Sequence, residues 1–204
     1  MFARTERLLL RPGWHEDAPA LTRAIGDEAI VRNLSRAPWP YREDDARAFL
    51  STWTDGHPSR FLMVQRTASA PRLIGGIGMD VREQGEVELG YWVARPFWGL
   101  GYATEAGRHM IELARTLGIG RLIASHFADN PASGAVLRKL GFRPTGHRPL
   151  RGSLGRGHAA PTVEYARDIA APGEDGDGDE GPVTMLGAAR WPDTLRDEWR
   201  LAAA

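Results

Sequence analysis

Two glycines one residue apart, Gly99 and Gly101 in Trp98-Gly-Leu-Gly-Tyr-Ala103, stand directly before a stretch that reads as a helix to about Leu117. Such a loop turns sharply and lets a ligand approach the backbone, because no Cβ is in the way. The helix after it begins with several N–H groups that have no partner inside it. Together these make a site for an anion, above all a phosphate; taken alone, the same glycines also suit an ordinary turn between strand and helix. Glu88 lies on an expected strand and faces the same side as Gly90 and Trp92. It could act as a base, or it could rest in an ion pair with a neighbouring arginine. Asn130 and Ser133 open another helix, where both residue types are favoured as caps, and Pro131 suits the first helical position after Asn130.

These residues need a frame. The sequence predicts a strand over Glu88–Ala94, the glycine loop, and a helix whose buried face carries Ala103, Ala106, Met110, Leu113, Ala114 and Leu117. A strand over Arg121–Phe127 follows, then a helix from Asn130 that stops at Gly141-Phe142. Upstream, Arg7–Arg11 reads as a strand, Asp17 starts a helix that ends near Gly26, and Ala29–Leu34 is a short helical piece. Ala37-Pro-Trp-Pro-Tyr41 is a loop, since two prolines cannot propagate a helix. A helix from Glu43 to about Trp53 precedes strands at Arg60–Arg66 and Leu73–Val81, the second with Gly75-Gly76 as a bulge or a close backbone contact. Further strands are expected at Thr162–Ile169 and Val183–Ala188, and a last helical turn or two over Pro192–Leu201. The reading divides the chain into a domain over 1–170, a glycine-rich acidic loop over 171–182 that is expected to be disordered, and a strand and short helix over 183–204 that complete the domain.

Composition narrows the function classes. The chain has 204 residues with 26 Lys+Arg against 26 Asp+Glu, so no charge imbalance points to nucleic acid or an anionic membrane. It has no cysteine, which removes disulfides, thiolate metal sites and a cysteine nucleophile, and a soluble cytoplasmic protein is the expectation. Asp175, Asp177 and Asp179 alternate as in a calcium loop, but Glu180 stands where the sharp turn needs Gly and Leu186 where a bidentate Glu is needed. No helical histidine pair has metal spacing. No metal is expected.

Four blocks in order then carry a resemblance: Glu88-Leu-Gly-Tyr-Trp-Val93, Trp98-Gly-Leu-Gly-Tyr-Ala-Thr-Glu-Ala106, Ala128-Asp-Asn-Pro-Ala-Ser133 and Leu137-Arg-Lys-Leu-Gly-Phe142. The chain resembles the GNAT N-acetyltransferases, most closely the ribosomal-protein alanine and serine acetyltransferases, from Thr5-Glu-Arg-Leu8 and Pro38-Trp-Pro-Tyr41 to about Gly146. The resemblance implies a mixed α/β fold, a twisted and mostly antiparallel sheet with helices on both faces, and acetyl-CoA as cosubstrate. It implies that the strand with Tyr91, Trp92 and Val93 lies along the acyl chain, with the Val93 N–H as oxyanion donor. Trp98, Gly99, Leu100, Gly101, Tyr102, Ala103 and Thr104 would form the pyrophosphate loop, Asn130 would reach the pantetheine arm, and Ser133 would lie near the CoA sulfur. Glu88 matches an acidic position often used as a base through water, and Trp39, Tyr41 and Glu88 would line the acceptor side.

Acetyl transfer sets its own demands. Holding amine and thioester in line is worth up to about 7 to 11 kcal/mol, the amine must be neutral, and the oxyanion needs an N–H. Two departures from the family pattern matter: Trp98 replaces an Arg or Gln, so a side-chain hydrogen bond or charge is expected to be missing at that corner, and Leu137 replaces a tyrosine acid. The thiolate proton must then come from Ser133, Tyr91, Tyr102 or water. The acceptor, a small-molecule amine or a protein N-terminus, is not separated by any motif, and acyl length and a homodimer stay open. Two rivals remain: an acyl-CoA-binding sensor or scaffold, and a dinucleotide oxidoreductase, disfavoured because Thr104 stands where the third glycine would fall.

Overall fold

The computed structural model describes residues 1–53, 59–67, 70–82 and 85–169. The acidic loop and the elements expected beyond it lie outside the described residues. Nine strands form one order: β1 (Ala3–Arg4), β2 (Leu8–Arg11), β3 (Arg60–Gln65), β4 (Arg72–Val81), β5 (Val87–Val93), β6 (Arg121–Phe127), β9 (His158–Asp168) and β7 (Arg143–Pro144), with β8 (Leu150–Ser153) also on β9. All neighbours are antiparallel except β5 and β6. The expected mixed α/β fold, with a mostly antiparallel sheet, is the fold observed.

Helices cover both faces. α4 (Tyr102–Thr116) and α5 (Pro131–Lys139) pack on one, where Leu8, Leu10, Met63, Leu89, Met110, Leu122 and Phe142 form the larger core. α1 (Ala18–Ile25) and α3 (Glu43–Ser51) cover the other through Ala18, Leu21, Ala46 and Leu50 against Leu62. The short α2 (Glu28–Val31) adds Ile30 and Val31 beside Tyr41 and Trp92. The register of β3 on β4 shifts between Met63 and Val64, opposite Leu73 and Gly75, so the expected irregularity falls next to Gly75. Gly75 also makes the close backbone contact that was the alternative, since a Cβ there would lie 2.5 Å from the Trp92 carbonyl oxygen, and a Cβ on Gly76 would lie 2.7 Å from Trp92 Nε1.

Four strands differ from expectation. β1, β7 and β8 were not anticipated, being short, with Pro144 in β7 and Gly152 in β8. β9 starts four residues before the expected Thr162, because β8 gives its first residues a partner over Pro161 to His158.

The feature that matters for function is where the sheet opens. β5 and β6 pair only at Val87 with Leu122 and Glu88 with Ile123. Beyond that, β5 stays with β4 as far as Val93, while β6 stays with β9 along its whole length. The two parallel strands part, and the glycine loop and α4 lead from the end of one to the start of the other.

Candidate active site

The loop before α4 has the geometry its glycines imply. Gly99 and Gly101 have φ of 75° and 85°, where a side chain would be strained, and Gly101 is the residue preceding the helix. The first bond within α4 runs from the Glu105 N–H to the Gly101 carbonyl at 3.0 Å, so the amides of Tyr102, Ala103 and Thr104 come before it without a helical partner. A Cβ on Gly99 would meet nothing within 4 Å, and Leu100 is exposed, so the loop is open to a ligand.

Arg7, just before β2, props this loop, a role not legible in the sequence. Its Nε lies 2.7 Å from Glu105 Oε2, its backbone N–H donates to Glu105 Oε1, and its Nη1 donates to the Leu100 carbonyl at 2.9 Å. The guanidinium also lies 4.4 Å over the Tyr102 ring. Thr5 completes the grip by donating to Glu105 Oε1 at 2.6 Å. These contacts hold the Glu105 carboxyl below its usual range, against the upward push of its burial.

Trp98 corrects an expectation. The corner does have a side-chain hydrogen bond, because the indole N–H donates to the Val93 carbonyl at 2.6 Å. That bond ties the loop to the end of β5. The Ala94 N–H bonds to Ile74 O at 2.7 Å and the Arg82 N–H to Glu86 O at 2.8 Å, which sets the ladder phase along β5. Even-numbered residues bond to β4; the Tyr91 and Val93 amides point the other way, into the gap left by β6.

Tyr91 and Ser133 meet across that gap. The Tyr91 hydroxyl lies 2.8 Å from Ser133 Oγ and 3.1 Å from the Ser133 carbonyl oxygen. Burial pushes the Tyr91 phenol up to about 12. Asn130 caps α5, its Oδ1 accepting from the Ser133 N–H at 3.4 Å. Leu137 is fully buried in the larger core. Tyr102 is buried too, and its hydroxyl accepts from Gln65 Nε2 at 2.7 Å.

Trp92 turns the other way, with its indole among Tyr41 and the α1, α2 and α3 residues, so only its backbone borders the gap. Tyr41 is half-buried there, its phenol pushed up to about 12 by burial and by Asp45. Trp39 is largely exposed and lines a cleft of about 510 Å³ with Asp27, Glu28, Arg32 and Arg95.

Glu88 is the residue whose surroundings differ most from a free base. Arg82 bonds both carboxylate oxygens, at 3.0 and 2.8 Å, and Arg151 of β8 bonds both again, at 2.8 and 3.2 Å. Ser125 of β6 donates to Oε1 at 3.0 Å. Arg82 also reaches Glu164 at 3.3 Å. Burial alone would raise the Glu88 carboxyl, but the two guanidinium groups outweigh it and hold the group at about 2. Of the alternatives open in the sequence, this geometry is the ion pair. Arg82, Ser125 and Arg151 were not anticipated as its partners.

A glycine loop opening a helix, beside parallel strands that part, is a frame able to take an anionic ligand and a chain lying between the strands. Residues 7–143 match the Acetyltransferase (GNAT) domain family, and the chain belongs to that family. It is similar to the uncharacterized N-acetyltransferase p20 of Bacillus licheniformis, 29% identical over 147 residues that cover 70% of this chain and 82% of that protein. YoaA of Bacillus subtilis, an uncharacterized N-acetyltransferase, is 27% identical over 148 residues with the same coverage. Among solved structures, a GNAT-family acetyltransferase of Bacillus anthracis superposes with a TM-score of 0.70 at 22% identity, over 83% of this chain and 99% of that one. RimL, a ribosomal L7/L12 α-N-protein acetyltransferase in complex with coenzyme A, gives 0.66 at 20% identity over 83% and 98%. The protein is thus an acetyl-CoA-dependent acetyltransferase.

Proposed function

We propose that the protein transfers acetyl from acetyl-CoA directly to a primary amine, in a ternary complex, and that the acceptor is an amine with an appreciable neutral fraction near physiological pH, a protein N-terminus or a small-molecule amine. The observation that carries the acceptor half is the fully engaged Glu88. A carboxylate held at about 2 is a poor proton acceptor at neutral pH. An α-amino group, with a pKa of about 8, needs little help to lose its proton, whereas a lysine at about 10.4 needs far more. RimL is named for an α-amine of a protein, which agrees with this choice.

In this reading the amides of Leu100, Gly101, Tyr102 and Ala103 take the pyrophosphate, with Trp98, Gly99 and Thr104 shaping the loop, and Asn130 faces the pantetheine. The loop suits the group, since its glycines leave the backbone open and its helical amides have no internal partner. The acyl group lies in the gap beside Tyr91, Trp92 and Val93, and the Val93 N–H receives the negative charge that develops on the thioester oxygen. Ser133 donates a hydrogen bond to the departing sulfur. Glu88 holds Arg82 and Arg151 in place on the acceptor side instead of removing the proton. Trp39 and Tyr41 form its aromatic wall. The lack of cysteine fits a cytoplasmic setting, and among the described residues no helix is long and apolar enough to cross a membrane.

A thiol-release screen with acetyl-CoA tests the proposal, using peptides with free or blocked N-termini, peptides with lysine as their one free amine, polyamines, aminoglycosides and amino acids. Turnover is expected with acceptors carrying an amine of low pKa and to be lost when that amine is blocked. Preferred turnover of N-terminally blocked lysine peptides would overturn the acceptor assignment.

A further inference from the structure

We infer that Tyr91 is the positioning residue for the leaving-group end of the reaction, its phenol fixing the Ser133 hydroxyl so that this hydroxyl donates to the CoA sulfur. The inference rests on the proposed place of Ser133 at that sulfur. Tyr91 leaves β5 three residues past the last β5–β6 pair, so its ring spans the open part of the sheet and its oxygen meets the first turn of α5. There it has two partners on one residue, Ser133 Oγ at 2.8 Å and the Ser133 carbonyl at 3.1 Å. The other phenol on this face that the sequence offered, Tyr102, is buried against Gln65, and the position of the missing family tyrosine is the buried Leu137.

A phenol has one proton for these two acceptors. When Tyr91 donates to the carbonyl, the Ser133 hydroxyl donates to Tyr91 and has no proton for sulfur. When Tyr91 donates to Oγ, the Ser133 proton is free to point into the gap. As the C–S bond breaks, its electron pair stays on sulfur, and the growing negative charge draws the Ser133 proton outward while Tyr91 turns its own proton to Oγ. The ammonium proton of the attacking amine goes to solvent, and the thiolate leaves hydrogen-bonded and is protonated by water. Neither hydroxyl ionises. The phenol, which burial pushes up to about 12, stays a donor throughout the working pH range.

The test needs no acceptor. The affinity of CoA itself, measured by calorimetry across the pH range where its thiol ionises, reports the thiol's pKa in the complex. In the wild type, donation to sulfur lowers that pKa below the value of the thiol in free CoA, so affinity rises with pH. Tyr91→Phe and Ser133→Ala are each expected to raise the bound thiol pKa by about one unit, an about tenfold change in relative thiolate affinity, and the double variant to do no more than Ser133→Ala. The readout is the pKa of the bound thiol in each variant, so a change in CoA affinity that is equal at every pH does not enter it. If Ser133→Ala raises the pKa and Tyr91→Phe does not, Tyr91 has no positioning role. If neither variant moves it, Ser133 is not at the sulfur and the underlying reading fails as well.

Discussion

Replacing Glu88 with glutamine keeps the shape of the side chain and removes its charge. The Glu88 carboxyl is lowered from 4.5 to about 2 with its side chain only 18% exposed; at about 1.4 kcal/mol per unit this amounts to about 3 kcal/mol of folding free energy. The value agrees with the cost of about 3 to 5 kcal/mol for removing one partner of a buried ion pair. Arg82 keeps Glu164 at 3.3 Å, but among the described residues Arg151 loses its carboxylate partner. A carboxyl lowered in the folded state contributes fully above its unfolded value of 4.5, and the contribution is lost as pH falls from there toward about 2. Urea unfolding of Glu88→Gln is therefore expected to show a deficit of about 3 kcal/mol at neutral pH that closes as the medium is acidified through that window. For catalysis, kcat/KM measured by thiol release is expected to rise through the pKa of the acceptor amine in both proteins, with the same profile shape. A wild-type acid limb between about pH 5 and 7 that disappears in the variant would show that Glu88 gains a base's pKa in the working complex, and would refute the assignment.

Gly101→Asp places a carboxylate where the diphosphate is expected to bind and is predicted to lower CoA affinity by at least about a hundredfold, read by calorimetry; unchanged affinity would remove the loop from the site. The same change puts a side chain at a φ of 85°, but aspartate tolerates this region better than most residues, so circular dichroism should show an intact fold. Arg7→Ala removes the side-chain contacts to Glu105 and the Leu100 carbonyl. Arg7 is two-fifths exposed, so its ion pair is worth at most about 1 kcal/mol; a small drop in Tm is expected together with an about tenfold loss of CoA affinity as the loop loses order, and equal affinities would show that the prop is dispensable. Acetyl-CoA and CoA should bind in the micromolar range and NAD should give no heat; tighter binding of NAD would contradict the thioester site.

The conformation of the glycine loop was legible because its requirement is local. Gly99 and Gly101 adopt positive φ, the helix starts at the next residue, and the apolar spacing of α4 predicted its face to within a residue of its end. The partners of Glu88 were not legible, for the opposite reason. Arg82 is six residues away and Arg151 sixty-three, on a four-residue strand containing Gly152 that has no alternating pattern to announce it. Trp98 shows how residue type can mislead: read as a lost charge, it still has an indole N–H, and only the turn after β5 shows that this donor reaches Val93.

Tyr91 makes the same point at the level of the sheet. Strand alternation assigns its side chain to the face of Leu89 and Val93, but nothing near it in sequence tells whether the strand edge beside it is paired or open. The answer comes from β6, which meets β5 only at Leu122 and Ile123 while its other edge is bound to β9 over all seven of its residues, from Phe127 with Thr162 to Arg121 with Asp168. β8 lengthens β9 and also supplies Arg151, which bonds Glu88 close to the last paired residues. The short strand β8, beyond the four sequence blocks that carry the resemblance, thus bears on the proposed acceptor side through Arg151, which locks the Glu88 carboxylate.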